Sequence, residues 1–476
     1  MHQPNLMQTR RHFFEDCRLG IGKIALASLL AGGGNKPASA APAARTATSK
    51  TPHFQPKAKA VIQLFMGGGP SHLDLFDYKP ELAKFEGRTI PAARLAGQRF
   101  AFIRSDAAAL GPRFKFAKHG QSGAELSEVL PHLTKIADDI CIVKSVHTDQ
   151  FNHAPAQIFF NTGFAQPGRP ALGAWAVYGL GAETEELPSF AVMSTGAGNS
   201  GGSANWGNGF MPSSHAGVLL RNQANLILNA ANPAGVDAQL QRDTLDLVGK
   251  LNRGYQQTTG YQDVSAHIAA YELAYRLQSS APELIDLSGE TRAVLDLYGA
   301  DPAKPSFSRA CLLARRMVER GVRFISIYHS SWDAHSDVAG SLRTYCGATD
   351  QASTALILDL KARGLLDQTL VIWGGEFGRT PMVETNPSLG RSLGRDHHPH
   401  AYSMWLAGGG IKGGMTYGAT DELGFNVAEN PVHVHDLQAT ILHALGLDHE
   451  RLTYRHSGRD YRLTDVHGKV IQPILA

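Results

Sequence analysis

Charge is scarce in this chain. Charged residues make up 18% of its 476 residues, and 45 basic against 42 acidic residues leave a net charge of only +3. Residues 1–40 hold five basic residues (Arg10, Arg11, Arg18, Lys23, Lys36) against two acidic ones (Glu15, Asp16), so the remainder carries forty of each sign. A neutral body excludes a nucleic-acid binder that works by bulk charge. Cysteine is scarcer still. There are four, and Cys17 lies before the first apolar stretch, which leaves Cys141, Cys311 and Cys346. Three cysteines allow at most one disulfide, which excludes a disulfide-built scaffold. Outside the N-terminus no apolar run reaches the roughly 18–20 residues of a membrane-spanning helix. The run Gly67-Gly68-Gly69 lacks the Gly-Lys-Ser/Thr ending of a phosphate loop, which excludes that mode of nucleotide binding.

What the chain does hold is a 43% hydrophobic share, enough for a sizeable core, and 50 glycines, which imply many turns. At roughly 100–200 residues per domain, its length suits two or three domains or one large α/β domain. Its 21 histidines, many of them in the last third, are the first functional hint, because imidazole serves as both metal ligand and acid/base group.

The first forty residues read as an address. Arg10-Arg11 precede the apolar stretch 19–31, and Ala38-Ser39-Ala40 fits a small-residue cleavage site. That order is expected of a twin-arginine export signal over 1–40, delivering the mature chain to the periplasm or the exterior. Residues 41–57, rich in Ala, Pro, Thr and Ser, read as a flexible linker.

From 58 to 476 the pattern alternates. Apolar, β-rich runs at 58–66, 140–146, 190–194, 322–328, 369–373 and 402–406 predict strands. Helical spacing over 306–320, 352–360 and 435–445 predicts helices stopped by Gly321, Gly364 and Gly446. The stretch 195–300 is less regular and reads as an insertion. Such alternation predicts an α/β domain: a mostly parallel central sheet with helices on both faces, a three-layer sandwich.

Polar clusters fall where strands end, and ligands bind open parallel sheets at that edge. Asp74 follows the first strand, and His147, Asp149 and His153 the second. His329, Asp333, His335 and Asp337 follow the strand at 322–328. Glu376 and Arg379 follow 369–373, and Asp396, His397, His398 and His400 precede 402–406. Asp74, Asp333, His335, Glu376, His397 and His398 are therefore the candidate ligands of a divalent metal, with calcium, zinc and manganese all compatible with mixed carboxylate and imidazole donors. Glu376 is expected to be oriented by Arg379. Arg315 and Arg316 read as a solvated helix face, and His433 and His435 as the opening of a helix.

The segments VIQLFMGGGPSHLDLFDYKP, WDAHSD, TLVIWGGEFGRTP, GRDHHPHAYSMWLAGGGIKGG and HVHDLQATILHALGL resemble the exported bacterial family called domain of unknown function 1501. That family is sulfatase-like and belongs to the alkaline phosphatase superfamily. The resemblance implies an alkaline phosphatase-like fold and transfer of phosphoryl or sulfuryl groups at metals above the sheet. The stretch from His153 to Thr162-Gly163 has the spacing of the arylsulfatase Cys-x-Pro-x-Arg motif. It implies His153 in the nucleophile's position and Gln157 in that of the motif's arginine. Attacking group, metal ligand and general base are all open to His153, and Arg379 is the candidate to neutralise the transferred group.

Two functions follow. One is an exported, metal-dependent hydrolase of phosphate or sulfate esters, acting on a small-molecule or polysaccharide ester. The other is a catalytically silent binding or structural protein on the same scaffold. Neither involves nucleic acid or a transmembrane segment in the mature chain.

Overall fold

The computed structural model describes residues 50–476 except 96–99, 197, 223–231 and 261–262. The expected export signal, and the expected linker up to residue 49, lie outside the described residues. Residues 50–57 do not hang free as a linker would. Their backbone amides bond along the domain: Lys50 to the carbonyl of Leu180, His53 and Phe54 to Gly446, and Lys57 to Ala444.

The chain's longest apolar runs became strands of one nine-stranded sheet. These are β1 (Ala60–Gly67), β2 (Ile140–His147), β3 (Phe190–Thr195), β4 (Val218–Leu220), β5 (Phe324–Ser330) and β6 (Thr369–Gly374). A separate hairpin follows, made of β7 (Gly378–Asn386) and β8 (Arg391–His398). The sheet is completed by β9 (Tyr402–Ala407), β10 (Met415–Tyr417) and β11 (Val432–His433). Its order is β10-β2-β9-β6-β1-β5-β3-β4, with β11 also pairing β2. Every pairing is parallel except those of β9, which runs antiparallel to both β2 and β6.

Every residue of β1 is buried, as expected of a central strand covered on both faces. Its side chains alternate between two cores. Ile62, Leu64 and Met66 pack with Leu313 and Met317 of one helix and Leu356 of another, while Val61 and Phe65 pack with Phe160, Trp175 and Leu437 on the opposite face. The helices are α1 (His153–Thr162), α2 (Leu172–Leu180), α3 (Ala238–Thr259), α4 (Asp263–Ile285), α5 (Arg292–Tyr298), α6 (Phe307–Glu319), α7 (Val338–Ala362) and α8 (Val434–Ala444). α6 and α7 cover one face, and α1, α2 and α8 the other.

Local chemistry sets the helix ends. Ser306 caps α6 by accepting from the Arg309 amide, and Gly321 just beyond the helix takes φ 79°. α7 begins well before the expected residue 352, because Asp337 accepts from the Gly340 amide and nucleates the helix there. His433 caps α8 with Asp436 in a reciprocal capping box. The expectation that Arg315 is solvated is corrected. Its guanidinium is buried among Glu319 one turn along α6 (2.8 Å), Glu290 just before α5 (2.6 Å) and Asp359 of α7 (2.9 Å). Cys141, Cys311 and Cys346 are buried free thiols.

This topology positions the site. The carboxyl ends of the parallel strands share one edge, where Gly67 pairs Ser330 and His329 pairs Thr195. Because β9 runs the other way, its first residue lies at that same edge, with Tyr402 opposite Val146. The residues just before it, 396–398, therefore arrive beside those that follow β1, β2, β5 and β6.

Candidate metal centre

β1 ends in the triple glycine, and its middle member is there for close packing. Gly68 sits at φ 125°, and a Cβ on it would stand 2.5 Å from the Asp333 backbone nitrogen. Its amide donates to both carboxylate oxygens of Glu376, at 3.0 and 3.1 Å. Its carbonyl accepts from Arg379 Nη2. The ends of β1, β5 and β6 are thereby locked together through a single residue.

His153, Asp333, His335 and His397 place one ligand atom each within 4.8 Å of all the others. His153 is the first residue of α1. Its Nδ1 lies 2.7 Å from Glu376 Oε1, and its Nε2 lies 3.2 Å from Asp333 Oδ2. His335 Nδ1 meets Glu384 Oε2, while its Nε2 is 2.8 Å from Asp333 Oδ1. His397 Nδ1 is 2.8 Å from the Phe151 carbonyl, and its Nε2 is 3.2 Å from Asp333 Oδ1 and 3.1 Å from His335 Nε2.

A carbonyl or carboxylate facing each Nδ1 can only accept, so each Nδ1 carries a hydrogen. Each Nε2 points inward at Asp333, where it carries a proton when the imidazole is charged and offers a lone pair when it is neutral. His153 Nε2 is buried and without a well-aligned hydrogen-bond partner. Three nitrogens and a carboxylate converging in this way call for positive charge among them, as protons or as a metal ion. Imidazoles held from behind by carboxylate or carbonyl groups are how proteins present histidine to a metal. The His/Asp cluster could therefore hold a metal ion.

The electrostatics agree. Burial disfavours a charged His153, but hydrogen bonds to Asp333 and Glu376 outweigh it and push its pKa up to about 9. Burial opposes the Asp333 carboxylate too, yet His153, His335, His397 and Arg379 hold it well below the usual range. Burial dominates at His397 and drives it down to about 3. The site asks for positive charge and draws it onto His153 and also onto His335, where hydrogen bonds to Asp333 and Glu384 outweigh burial and raise the pKa.

Three expected ligands, Asp74, His398 and Glu376, lie outside the cluster. Asp74 is wholly buried in a paired ion bridge to Arg395, at 2.7 and 3.2 Å, and also accepts from Ser71 Oγ at 2.6 Å. His398 faces away from the cluster. It bonds the Phe425 carbonyl and stacks on the Phe425 ring at 4.7 Å. Neighbouring residues on a strand point to opposite faces, so His397 and His398 cannot both serve. Glu376 is not aimed at the ligand atoms but holds His153 from behind, and it also accepts from Gln157 Nε2 at 3.1 Å. Arg379 is fully buried, spending its N–H groups on the carbonyls of Gly68, Gly69 and Arg395 and on Asp333 Oδ1 at 2.6 Å. It positions Asp333 and is not free to reach a bound group. His147 and Asp149 gather about His433 instead, with the His147 and His433 rings 5.2 Å apart and Asp149 Oδ2 3.2 Å from His433 Nε2.

The family model for "Protein of unknown function (DUF1501)" matches residues 58–475. The chain belongs to that family. Solved structures similar to this DUF1501 protein include the PsFucS1 sulfatase from Pseudoalteromonas sp., at 12% identity over 83% of this chain and 68% of that one (TM-score 0.36). A protein in the alkaline phosphatase superfamily from Vibrio parahaemolyticus is 12% identical over 84% and 70% (TM-score 0.35). The alkaline phosphatase from the Antarctic bacterium TAB5 is 10% identical over 83% and 99% (TM-score 0.34). No curated protein matches the sequence.

Residues that the sequence did not single out surround the His/Asp cluster. Glu384 is fully buried and holds His335, with Arg391 2.6 Å away on its other oxygen. Only the hairpin register, which sets Glu384 opposite Gly394, turns it toward the cluster. The Phe102 ring stands edge-on to His335 and His397 at 5.2 and 5.4 Å. A cleft of about 360 Å³ opens beside His153 and Asp333, walled in part by Asn199, Ser330 and Ser331. Ser331 sits at φ 97°, a strained backbone for a non-glycine residue, of the kind that concentrates at functional sites.

Proposed function

We propose that this DUF1501 protein is an exported, metal-dependent hydrolase of sulfate or phosphate esters. One observation carries the reading: three imidazoles, each anchored through Nδ1, converge with Asp333 at the side of an open cleft. Three nitrogen donors and one carboxylate suit zinc or manganese better than calcium, which favours all-oxygen sites. His153, Asp333, His335 and His397 would hold the ion. When bound, it would polarise an ester oxygen and lower the pKa of a water.

The protein's own groups do the rest. Glu376, Glu384 and the Phe151 carbonyl orient the imidazoles. Arg379 fixes Asp333. Hydroxyls of Ser330 and Ser331 and the amide of Asn199 offer neutral donors to ester oxygens. His153 acts as a ligand in this scheme rather than as the attacking group, because Glu376 occupies Nδ1 and Nε2 belongs to the cluster.

A silent binding protein remains the second reading, favoured by the locked Arg379 and by the absence of Lys or Arg among the described residues lining the cleft. No helix among the described residues is long and apolar enough to cross a membrane. The test is metal analysis of the purified exported protein, together with hydrolysis of aryl sulfate and aryl phosphate esters. We expect about one ion per chain, and loss of both metal and turnover in Asp333→Ala. Bound metal without turnover would favour the binding protein. Wild-type metal content in Asp333→Ala would refute the centre itself.

A further inference from the structure

One buried cation in the fold has no counter-charge. Five arginines are buried among the described residues, and Arg315, Arg323, Arg379 and Arg395 each meet a carboxylate at 2.6–3.0 Å. Arg309, the third residue of α6 and only 4% exposed, meets none. Its guanidinium makes one hydrogen bond to a described residue, from Nη1 to Asn222 Oδ1 at 2.8 Å. Burial lowers its pKa, and no neighbouring carboxylate opposes the shift. A charge withdrawn from water without an opposite charge beside it is costly, and a bound anion would supply one.

The space for an anion lies next to it. A cavity of about 610 Å³ opens between the carboxyl ends of β3 and β5 and the start of α6. It shares no lining residue with the cleft at the metal centre. Asn222, the partner of Arg309, lines it, and so do Phe307 and Ser308. The amides of these two residues open α6 and have no acceptor among the described residues, so they too favour negative charge. Arg221 lines the cavity, exposed and in no ion pair with a described residue. His329 adds a donor. Its Nδ1 accepts from Trp332 Nε1, which leaves its hydrogen on Nε2. No Asp or Glu is among the described lining residues.

The cavity is also too large for a bare oxyanion, and Leu219, Leu220 and Pro305 give it apolar surface. Gly347 of α7 lines it as well, where a Cβ would meet nothing within 4 Å. Volume of this size, mixed with a few convergent donors, suits an organic molecule held by a polar head. We propose that this cavity is a second binding site, which takes a small organic anion with its sulfate, phosphate or carboxylate head at the start of α6. The head balances Arg309, and the body lies along the apolar residues. The site works without the metal centre.

The experiment is calorimetric titration of the full chain, stripped of metal by a chelator and then dialysed free of it. The titrants are phenyl sulfate, phenyl phosphate, benzoate and inorganic sulfate. We expect one site with a dissociation constant of about 1 mM or below for at least one organic anion. Arg309→Met and Gly347→Leu should each weaken it at least about tenfold, the first by removing the charge and the second by filling the cavity. Arg309→Met should melt no lower than the wild type in anion-free buffer, and should lose the rise in Tm that the bound anion gives the wild type. The absence of saturable binding to the wild type would overturn the proposal, as would binding indifferent to both variants. Inorganic sulfate binding as tightly as the best organic anion would overturn the organic body. Binding lost in Asp333→Ala but kept in Arg309→Met would assign the anion to the metal centre instead.

Discussion

Glu376→Gln separates the two things that Glu376 does. The carboxylate is fully buried, and its Oε1 carries most of the load. That oxygen accepts from the Gly68 amide at 3.0 Å, His153 Nδ1 at 2.7 Å and Gln157 Nε2 at 3.1 Å, whereas Oε2 meets only the Gly68 amide, at 3.1 Å. A glutamine with its oxygen at the Oε1 position keeps all three donors satisfied, so the fold should lose only about 1 kcal/mol. What it loses is the negative charge behind His153. That charge makes the imidazole a better donor, and removing such a partner typically costs 10–100-fold in metal affinity, about 1.4–2.7 kcal/mol. Glu376→Ala instead strands the three donors in the interior and should cost about 3–5 kcal/mol of stability. Chemical denaturation reads the stability, and competition with a chelator of known affinity reads the metal. If Glu376→Gln bound metal as tightly as the wild type, the carboxylate would be packing and not part of the centre.

Gly68→Ala should cost more than about 3 kcal/mol and abolish metal binding, because its Cβ would strike the Asp333 backbone; a normal melting temperature would show that the strand ends are not locked as described. His329 accepts from Trp332 Nε1 at 3.1 Å and must be neutral to do so, and burial pushes its pKa down to about 4. The unfolded chain takes that proton near pH 6.5, so the stabilisation is complete above 6.5 and about 2–3 kcal/mol is lost as the pH falls toward 4. His329→Gln should flatten that limb of the stability profile, and an unchanged slope would disprove the assignment. The described residues lining the cleft include no Lys or Arg, so monoanionic aryl sulfates or diaryl phosphates should show higher kcat/KM than dianionic aryl phosphates, and the reverse order would refute the charge argument. Metal loading near pH 7.5 should release about one proton, since His153 holds one up to about pH 9. Calorimetry in buffers of different ionisation enthalpy reads this directly, and zero release would place the proton elsewhere.

Much of this was legible in the sequence because parallel strands expose one edge. Asp333 and His335 follow β5 and His153 follows β2, so they had to meet once the strands were recognised. His397 was legible for a subtler reason: it precedes a strand, and an antiparallel β9 brings that end to the same edge. His398 was misread because adjacency in sequence is opposition on a strand. Asp74 was misread because a helical turn after β1 carries it to Arg395, a partner 321 residues away. Glu384 was invisible since its role depends on hairpin register, which no local pattern encodes. Arg315 looked solvated because two of the three carboxylates around it, Glu290 and Asp359, come from other segments. Side chains on the main sheet follow from strand order, whereas those on the hairpin and in ion networks follow from tertiary register.

Within the proposed function, the charges around the cluster bear on which ester it would take. Asp333, Glu376, Glu384 and the buried Asp396 bring carboxylates to the cluster. Arg379, Arg391 and the imidazoles of His153 and His335 answer them, and hydrogen bonds to those carboxylates raise both imidazoles against the effect of burial. Arg379 has four of its five N–H groups on carbonyls and Asp333, and Arg391 is held on Glu384, so neither is left to meet a bound group. The described residues lining the cleft bring hydroxyls and amides and no Lys or Arg. An ester would therefore be met by the proposed ion and by neutral donors alone, and a monoanion asks less of such a wall than a dianion does.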